Sequence, residues 1–488
     1  MVQLNARTLG ALGEGVTKPA YDRAAVTPGI VHLGIGAFHR AHMAVYVDDL
    51  LAETPDWGIV GASLRRPDTR NALAPQDGLY SIAVRDGSGT LVRIIGSILE
   101  VIDANTERER LLSLMAQPEI RIVSLTITEK GYCHDPATGV LDEANPDIVH
   151  DLQEPTAPVS APGIIVEALA RRRAAGIAPF TVLSCDNLPS NGVTTGRIVT
   201  RFAALRDAAL GQWVEASVAF PSTMVDRIVP ATTDADRAMI TEVTGLEDAW
   251  PIMTEPFTQW VIHDHFTLGR PAFDRVGAQL VADVEPYELM KLRMLNGAHS
   301  SIAYLGYLAG HAYVAEVMGS ADFRAFIAGL MTEEAMPTLD MPGVDLGAYR
   351  DELLARFSNP ALNHRTWQIA MDGSQKLPQR LLGTIRDRKA AGLSYRRLAL
   401  GVAAWIRYAA GTDEKGEPID VRDPFVERFE AIAADADGDA ERLVAGFLQI
   451  GEVFGPDLRE DAAFRQIVTE HLKALIADGA AQTVARNA

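Results

Sequence analysis

Ile30-Val31-His32-Leu33-Gly34-Ile35-Gly36-Ala37-Phe38-His39-Arg40-Ala41-His42 is the stretch on which the fold turns. A short β-rich run ends in a tight Gly-x-Gly turn, and an amphipathic segment over Ala41–Leu51 follows. Strand, glycine turn and helix in that order let backbone N–H groups approach a pyrophosphate at the carboxyl edge of a sheet. The third glycine of the usual fingerprint is absent, His39 standing in its place. A degraded Gly-x-Gly can equally be an ordinary turn, so the surroundings decide.

They favour a β-α-β unit. A second β run, Trp57–Leu64, begins about twenty residues after the glycines, with the helical segment between them. Further strand-like runs occupy Leu91–Ile95, Ile120–Thr128, Phe180–Ser184 and Val214–Ala219, and Ala161–Ala174 has helical periodicity. This alternation predicts a mostly parallel sheet whose carboxyl edge carries ligands. Glu129 and Asn187 follow two of these runs, in Thr128-Glu129-Lys130-Gly131 and Ser184-Cys185-Asp186-Asn187. The second strand ends Ser63-Leu64-Arg65-Arg66, where an acidic side chain would take the ribose hydroxyls of NAD. Arg65 and Arg66 fit either a 2′-phosphate or a solvated arginine pair.

From Glu285 the pattern changes to long helical segments, including Pro286–Leu308, Ser320–Thr332, Leu346–Arg356, Tyr395–Ala410, Ala440–Ile450 and Ala462–Ile476. The expectation is an α/β dinucleotide-binding domain over 1–285 and a mainly α-helical domain over 286–488. Within the first helical segment, Lys291, His299 and Asn296 of Met290–Ser300 fall at about 0°, 80° and 140° around an α-helix, on one side of it. A buried ammonium moves toward its neutral form and becomes a usable proton donor or acceptor. The spacing also suits a snorkelling lysine and a core histidine. Asn363–Arg380 concentrates Arg365, Lys376 and Arg380, which suit an anionic group or an ordinary solvated face.

A chain of 488 residues exceeds one ordinary core, and its net charge of −19, without a basic patch, argues against nucleic acid. Cys133 and Cys185 form no disulfide framework or zinc spacing. His39-x2-His42 and His263-Asp-His265 are only fragments of metal motifs, so no metal is expected. The N-terminus has no signal-peptide pattern and no apolar run is long enough to span a bilayer, which points to the cytoplasm and no membrane partner.

Five ordered blocks, Gly34–His42, Thr128–Tyr132, Ser184–Asn187, Met224–Ile228 and Lys291–Ser300, resemble the long-chain polyol-specific dehydrogenase/reductase family, also called the mannitol dehydrogenase family, along nearly the whole chain. The resemblance implies a Rossmann-like domain joined to a helical one, with the site between them. It further implies metal-free hydride transfer with NAD, leaving NADP open because the acidic selector is missing. By the same resemblance Lys291 is the general acid/base, Asn187 and Asn296 stabilise the oxyanion, His299 positions the substrate and Glu129 relays protons. Gly34, Gly36, Ala37, Phe38, Arg65 and Asp226 are placed on the cofactor. The block His364–Arg380 resembles the branch acting on D-fructuronate and D-mannonate, with D-mannitol and D-fructose as the alternative pair; Arg365, Lys376 and Arg380 are then candidates for the substrate carboxylate. The expected partner is a small sugar acid or polyol, and the expected assembly a monomer or weak oligomer.

Overall fold

The computed structural model describes residues 2–135 and 138–488, in two compact units, Met1–Glu288 and Leu289–Ala488. In the first unit five strands form a wholly parallel sheet: β1 (Pro28–Leu33), β2 (Gly58–Ser63), β5 (Ile98–Asp103), β6 (Ile122–Leu125) and β7 (Thr181–Ser184). Their spatial order is β5-β2-β1-β6-β7. Counted along the chain among these five, that is 3-2-1-4-5, a doubly wound order that reverses between β1 and β6.

Successive residues of these strands feed opposite faces. Val31, Leu33, Val60, Val123 and Val182 enter one core, with Ile164, Ile165 and Leu169 of the helix Ala161–Ala174. Ile30, Ile59, Ile122 and Leu183 enter the other, with Met43, Val47 and Leu50 of the helix Met43–Leu50. Burial on both faces explains why the strands are continuous apolar runs rather than alternating ones.

Three expectations are corrected. Leu91–Ile95 is not in the parallel sheet. It belongs to β4 (Gly89–Ile95), which pairs antiparallel with β3 (Tyr80–Asp86); β9 (Ile252–Thr254) completes that smaller sheet. Val214–Ala219 is mostly helical, the helix Ala208–Ser217 covering it up to Ser217, because a run this short has no period of its own to separate strand from helix. The helix after the glycine turn is in two pieces, Ala37–Ala41 and Met43–Leu50, broken where His42 takes φ −120° and ψ −95°. A third sheet, β11-β10-β8, joins β8 (Thr223–Asp226), β10 (Gln259–His263) and β11 (Gln279–Val281).

The second unit is helical. Its centre is Gly297–Leu308, buried at every position but Tyr307 and packed against both Arg396–Ala409 and Ala462–Ala485. The expected helices are present with shifted ends, the last running on to Ala485 through a break at Gly479. No helix among the described residues is long and apolar enough to cross a membrane.

His39 fills the place of the missing third glycine. Its ring stacks on His32 of β1 at 3.4 Å between centroids, so an imidazole pair makes the close helix–strand contact that glycine usually permits. His32 is satisfied, its Nδ1 2.8 Å from Ser124 Oγ and its Nε2 2.9 Å from Thr126 Oγ1, whereas neither ring nitrogen of His39 has a partner among the described residues. Burial holds His32 down at about 3 and His39 well below the ordinary 6.5, where burial adds to the neighbouring His32, Arg40 and His42. Both rings stay neutral in the folded chain while the unfolded chain takes up protons below about pH 6.5, so stability falls as pH drops through that value and continues to fall toward pH 3. Urea midpoints should therefore drop between pH 7.5 and pH 5, and a His39→Phe variant should show a shallower drop; equal slopes would remove His39 from the account.

Candidate active site

A cleft of about 880 Å³ runs over the carboxyl ends of β1, β2 and β6, its wall including Gly34, Gly36, Arg65, Asn105, Thr128 and Lys130. Gly34 has φ +89°, and a Cβ there would run into the Thr126 carbonyl oxygen, so only glycine lets β1 turn this close to β6. At Gly36 the space is open, the nearest atom to an added Cβ being Gly34 O at 3.8 Å. A glycine-lined trough at the switch point of a doubly wound sheet fits a dinucleotide.

One carboxylate organises the loops above β6 and β7. Asp186 accepts from the backbone N–H groups of Ile127 at 2.9 Å and Thr128 at 3.0 Å and from Tyr132 Oη at 2.8 Å; Tyr132 Oη also lies 2.6 Å from Ser184 Oγ. Burial pushes Asp186 up to about 6 despite these hydrogen bonds. Both loops carry positive φ at residues other than glycine, Thr128 and Cys133 after β6 and Ser190 after β7. Glu129 is exposed on the first turn after Thr128, and Asn187 is exposed on the neighbouring loop.

In the second unit the expected α-helical phase is corrected. Lys291–Asn296 is a π-helix, continued by the α-helix Gly297–Leu308. A π turn closes from i to i+5, so Lys291 and Asn296 stand one above the other instead of about 140° apart. His299, three residues on, follows on the same face. Lys291 and His299 are only 8% and 6% exposed. A second π turn, Pro378–Leu382, packs on the first, and Gly297 admits it: a Cβ there would lie 2.8 Å from the Arg380 carbonyl oxygen.

His299 stacks on Phe357 at 4.6 Å and meets His364 edge-on at 5.2 Å. Its Nε2 has no partner among the described residues. Burial, then His364, Arg380, Arg356 and Lys376, hold it far below an ordinary histidine, so it is a neutral imidazole at neutral pH. Arg380 Nη1 is 3.4 Å from Ser300 Oγ. Lys376 Nζ donates to the carbonyls of Met371 at 2.5 Å and Ile369 at 3.3 Å.

The structure thus gathers Gly34, Gly36 and Arg65 on one cleft, and Lys291, Asn296, His299, Lys376 and Arg380 in one region of the helical unit. Ala37 and Phe38 follow that glycine turn, opening the helix Ala37–Ala41. Four candidates lie outside both groups: Glu129 and Asn187, exposed on the loops above the sheet, and Asp226 and Arg365. Asp226 ends β8 in the third sheet, outside the cleft wall, and its neighbour Arg227 donates to the carbonyls of Ala41 and Glu255. Arg365 is exposed with its guanidinium 5.8 Å from the Tyr313 ring, and it is not among the cations bearing on His299. Sequence reasoning missed Asp186, read as part of a loop, and Arg356, named only as the last residue of a helical segment although it is buried. Asp186 had a signal, an acid between a strand end and the Asn187 loop; Arg356 had none. Among the described residues no group of three or more His, Cys, Asp or Glu side chains is placed to hold a metal ion.

A doubly wound sheet with a glycine turn at its switch point, joined in one chain to a helical unit bearing a buried lysine, an amide and an imidazole on one face, is the architecture of a two-domain oxidoreductase. The chain belongs to the mannitol dehydrogenase family: residues 28–275 match the model of the mannitol dehydrogenase Rossmann domain, and 283–476 that of the C-terminal domain. It is 49% identical over 476 residues to D-mannonate oxidoreductase of Escherichia coli, covering 96% of this chain and 98% of that one. The mannitol 2-dehydrogenase of Pseudomonas fluorescens, solved as a ternary complex with NAD and D-mannitol, superposes with a TM-score of 0.93 at 41% identity, covering 99% of both chains. A D-sorbitol dehydrogenase in substrate-free form gives 0.88 at 34% identity, covering 99% of this chain and 100% of that one.

If Asp186 holds the loop, Asp186→Ala should expose the bond after Lys130 to trypsin. Cleavage there is expected to rise about tenfold, the worth of roughly one lost buried hydrogen bond, with far-UV circular dichroism unchanged. An unaltered cleavage rate would show that the loop holds its shape by other means.

Proposed function

We propose that the chain reduces D-fructuronate to D-mannonate, without a metal ion, by direct hydride transfer. NADH held in the cleft at the glycine turn supplies the hydride. Lys291, in its buried setting, donates the proton that the reduced carbonyl oxygen needs and recovers one by way of Glu129. The amide N–H groups of Asn187 and Asn296 stabilise the oxygen as negative charge grows on it. His299, neutral and with Nε2 unengaged, orients the hydroxyl beside the reacting carbon.

The observation that carries the choice of a uronate is the set of cations near that neutral imidazole: Arg380 Nη1 lies 3.4 Å from the hydroxyl of Ser300, the next residue in the chain, and the charges of Arg380, Arg356 and Lys376 help to keep His299 neutral. Fructuronate carries a carboxylate that fructose lacks, and guanidinium groups recognise carboxylates by paired, charge-assisted hydrogen bonds. Arg380 and Lys376 are the assigned carboxylate ligands, with Arg356 added by its burial beside Phe357. The E. coli relative acting on D-mannonate supports the same choice. Arg365, facing the Tyr313 ring, is the weakest of the assigned ligands. The structural likeness to the Pseudomonas enzyme favours a second reading, interconversion of D-mannitol and D-fructose.

Following NADH oxidation separates the two. Fructuronate is expected to exceed fructose in kcat/KM by about 10- to 100-fold, the worth of one hydrogen bond to a charged group. Better turnover of fructose would establish the second reading instead. Lys291→Ala should lower kcat by about 100- to 10,000-fold, the usual contribution of a general acid, while changing the NADH dissociation constant less than about twofold; near-native turnover would remove Lys291 from its role.

A further inference from the structure

Two imidazoles meet in the helical unit, and each has a ring nitrogen shut away from solvent with no hydrogen-bond partner among the described residues: Nε2 of His299 and Nδ1 of His364. Their rings stand edge to face, 5.2 Å between centroids. His299 is used beside the reacting carbon, and His364 is the ring left over. Buried nitrogens are seldom left unpaired, so two neighbouring ones call for a ligand or for a closed core around them. His39, at 0% exposure, has the closed core. His364 does not: it is half-buried, and part of the residue still reaches solvent.

The backbone that carries His364 is held on both sides. Asn363 before it takes φ +48°, a left-handed conformation at a residue other than glycine. The His364 carbonyl accepts from the Val314 N–H at 3.0 Å; two residues on, the Thr366 N–H donates to Ala312 O at 3.1 Å and Thr366 Oγ1 donates to His311 O at 2.9 Å. The ring is therefore presented from a fixed position, which lowers the entropy cost of any contact it makes. Burial, then the neighbouring Lys376, hold it down at about 4, so at neutral pH it offers one N–H and one lone pair.

We propose that His364 binds the sugar itself, its Nδ1 holding the hydroxyl next to the one that His299 orients, and that it is thereby a specificity-determining residue of the site. The inference rests on the reading of the helical unit as the sugar site. A hydroxyl both donates and accepts, so it satisfies either tautomer of a neutral imidazole, whereas a carboxylate uses only the N–H and already has Arg380 and Lys376. Two neutral rings side by side suit two successive hydroxyls of a sugar chain, a pattern that fructuronate and fructose share.

Steady-state kinetics with NADH, run on both sugars, test it. His364→Phe keeps an aromatic edge against His299 and removes the nitrogens; it should raise KM for both sugars about tenfold, the worth of one hydrogen bond, and change kcat and the NADH dissociation constant less than about threefold. His364→Asn places an amide near the position of Nδ1 and should bring KM back to within about threefold of the unaltered chain, although the aromatic contact is lost. If the Phe variant does not fold, His364→Ala takes its place with the same expectation. An unchanged KM without the nitrogens would overturn the proposal, and so would an Asn variant worse than the Phe variant, the order expected of a ring that only packs. A preference of the unaltered chain for fructose would end the uronate reading and leave the KM for fructose to decide on His364; turnover of neither sugar would overturn both.

Discussion

The contact between Gly34 and Thr126 is the constraint on which the first unit depends. Here β1 and β6 part in opposite directions of winding, yet the chain must keep them together to the last residue. The Thr126 N–H donates to Leu33 O at 3.0 Å and Thr126 Oγ1 donates to Gly34 O at 2.7 Å, while the Gly34 N–H donates to Ala62 O at 3.0 Å. This stitching ties three strands at one point, and the positive φ of Gly34 with its missing Cβ is what permits it. From that knot the chain leaves in two useful directions. Gly36 opens a trough on one side, and the Ile127–Tyr132 loop, pinned by Asp186, forms its rim on the other.

The helical unit solves a different problem, the burial of cationic side chains. An isolated buried charge is costly, and the fold answers with π turns and aromatic surfaces. The Lys291–Asn296 π turn brings lysine and amide into line, a phase that no α-helix over the same residues would give. His299 is kept neutral between Phe357 and His364, which lets several cations crowd around it without a further like charge at the centre. Arg293, on the opposite side of the turn, is anchored by Asp387 at 2.6 Å and by the Thr338 carbonyl, fixing the lysine's own backbone from behind. Lys291 thus sits on a π turn whose backbone is held by the contacts of its neighbours.

The parallel sheet, the glycine turn and the helical half were all legible in the sequence, because buried strands and long helices write their burial as runs and periods. What was not legible followed from contacts across distance. The period of Met290–Ser300 is too short to show an added residue in one turn, so the π phase stayed hidden. His39 read as a defect in a fingerprint until its stack on His32 showed that an imidazole can make the close packing a glycine makes. Val214–Ala219 misled because valines, which favour strands, also line a helix that is buried on one side. Arg356 had the look of any charge at a helix end, and only its burial beside Phe357 distinguishes it. Asp226 carried weight through its motif, yet its strand belongs to another sheet.

Identity approaching one half over nearly the whole chain settles the scaffold and leaves the substrate open, because mannonate and mannitol differ by one oxidised terminal carbon and relatives of both kinds share this fold. What separates them energetically is whether a carboxylate finds donors or finds water. A cationic wall helps a uronate only if its guanidinium groups are already held in place, since ordering free arginine side chains would consume most of the gain. The helical unit meets that condition: Arg356 is buried in its helix, Arg380 rises from a π turn clamped by Gly297, and Lys376 is tethered to two carbonyls. Preorganised cations around a neutral imidazole would be a costly arrangement to maintain for a neutral polyol, whereas an acid sugar recovers that cost on binding.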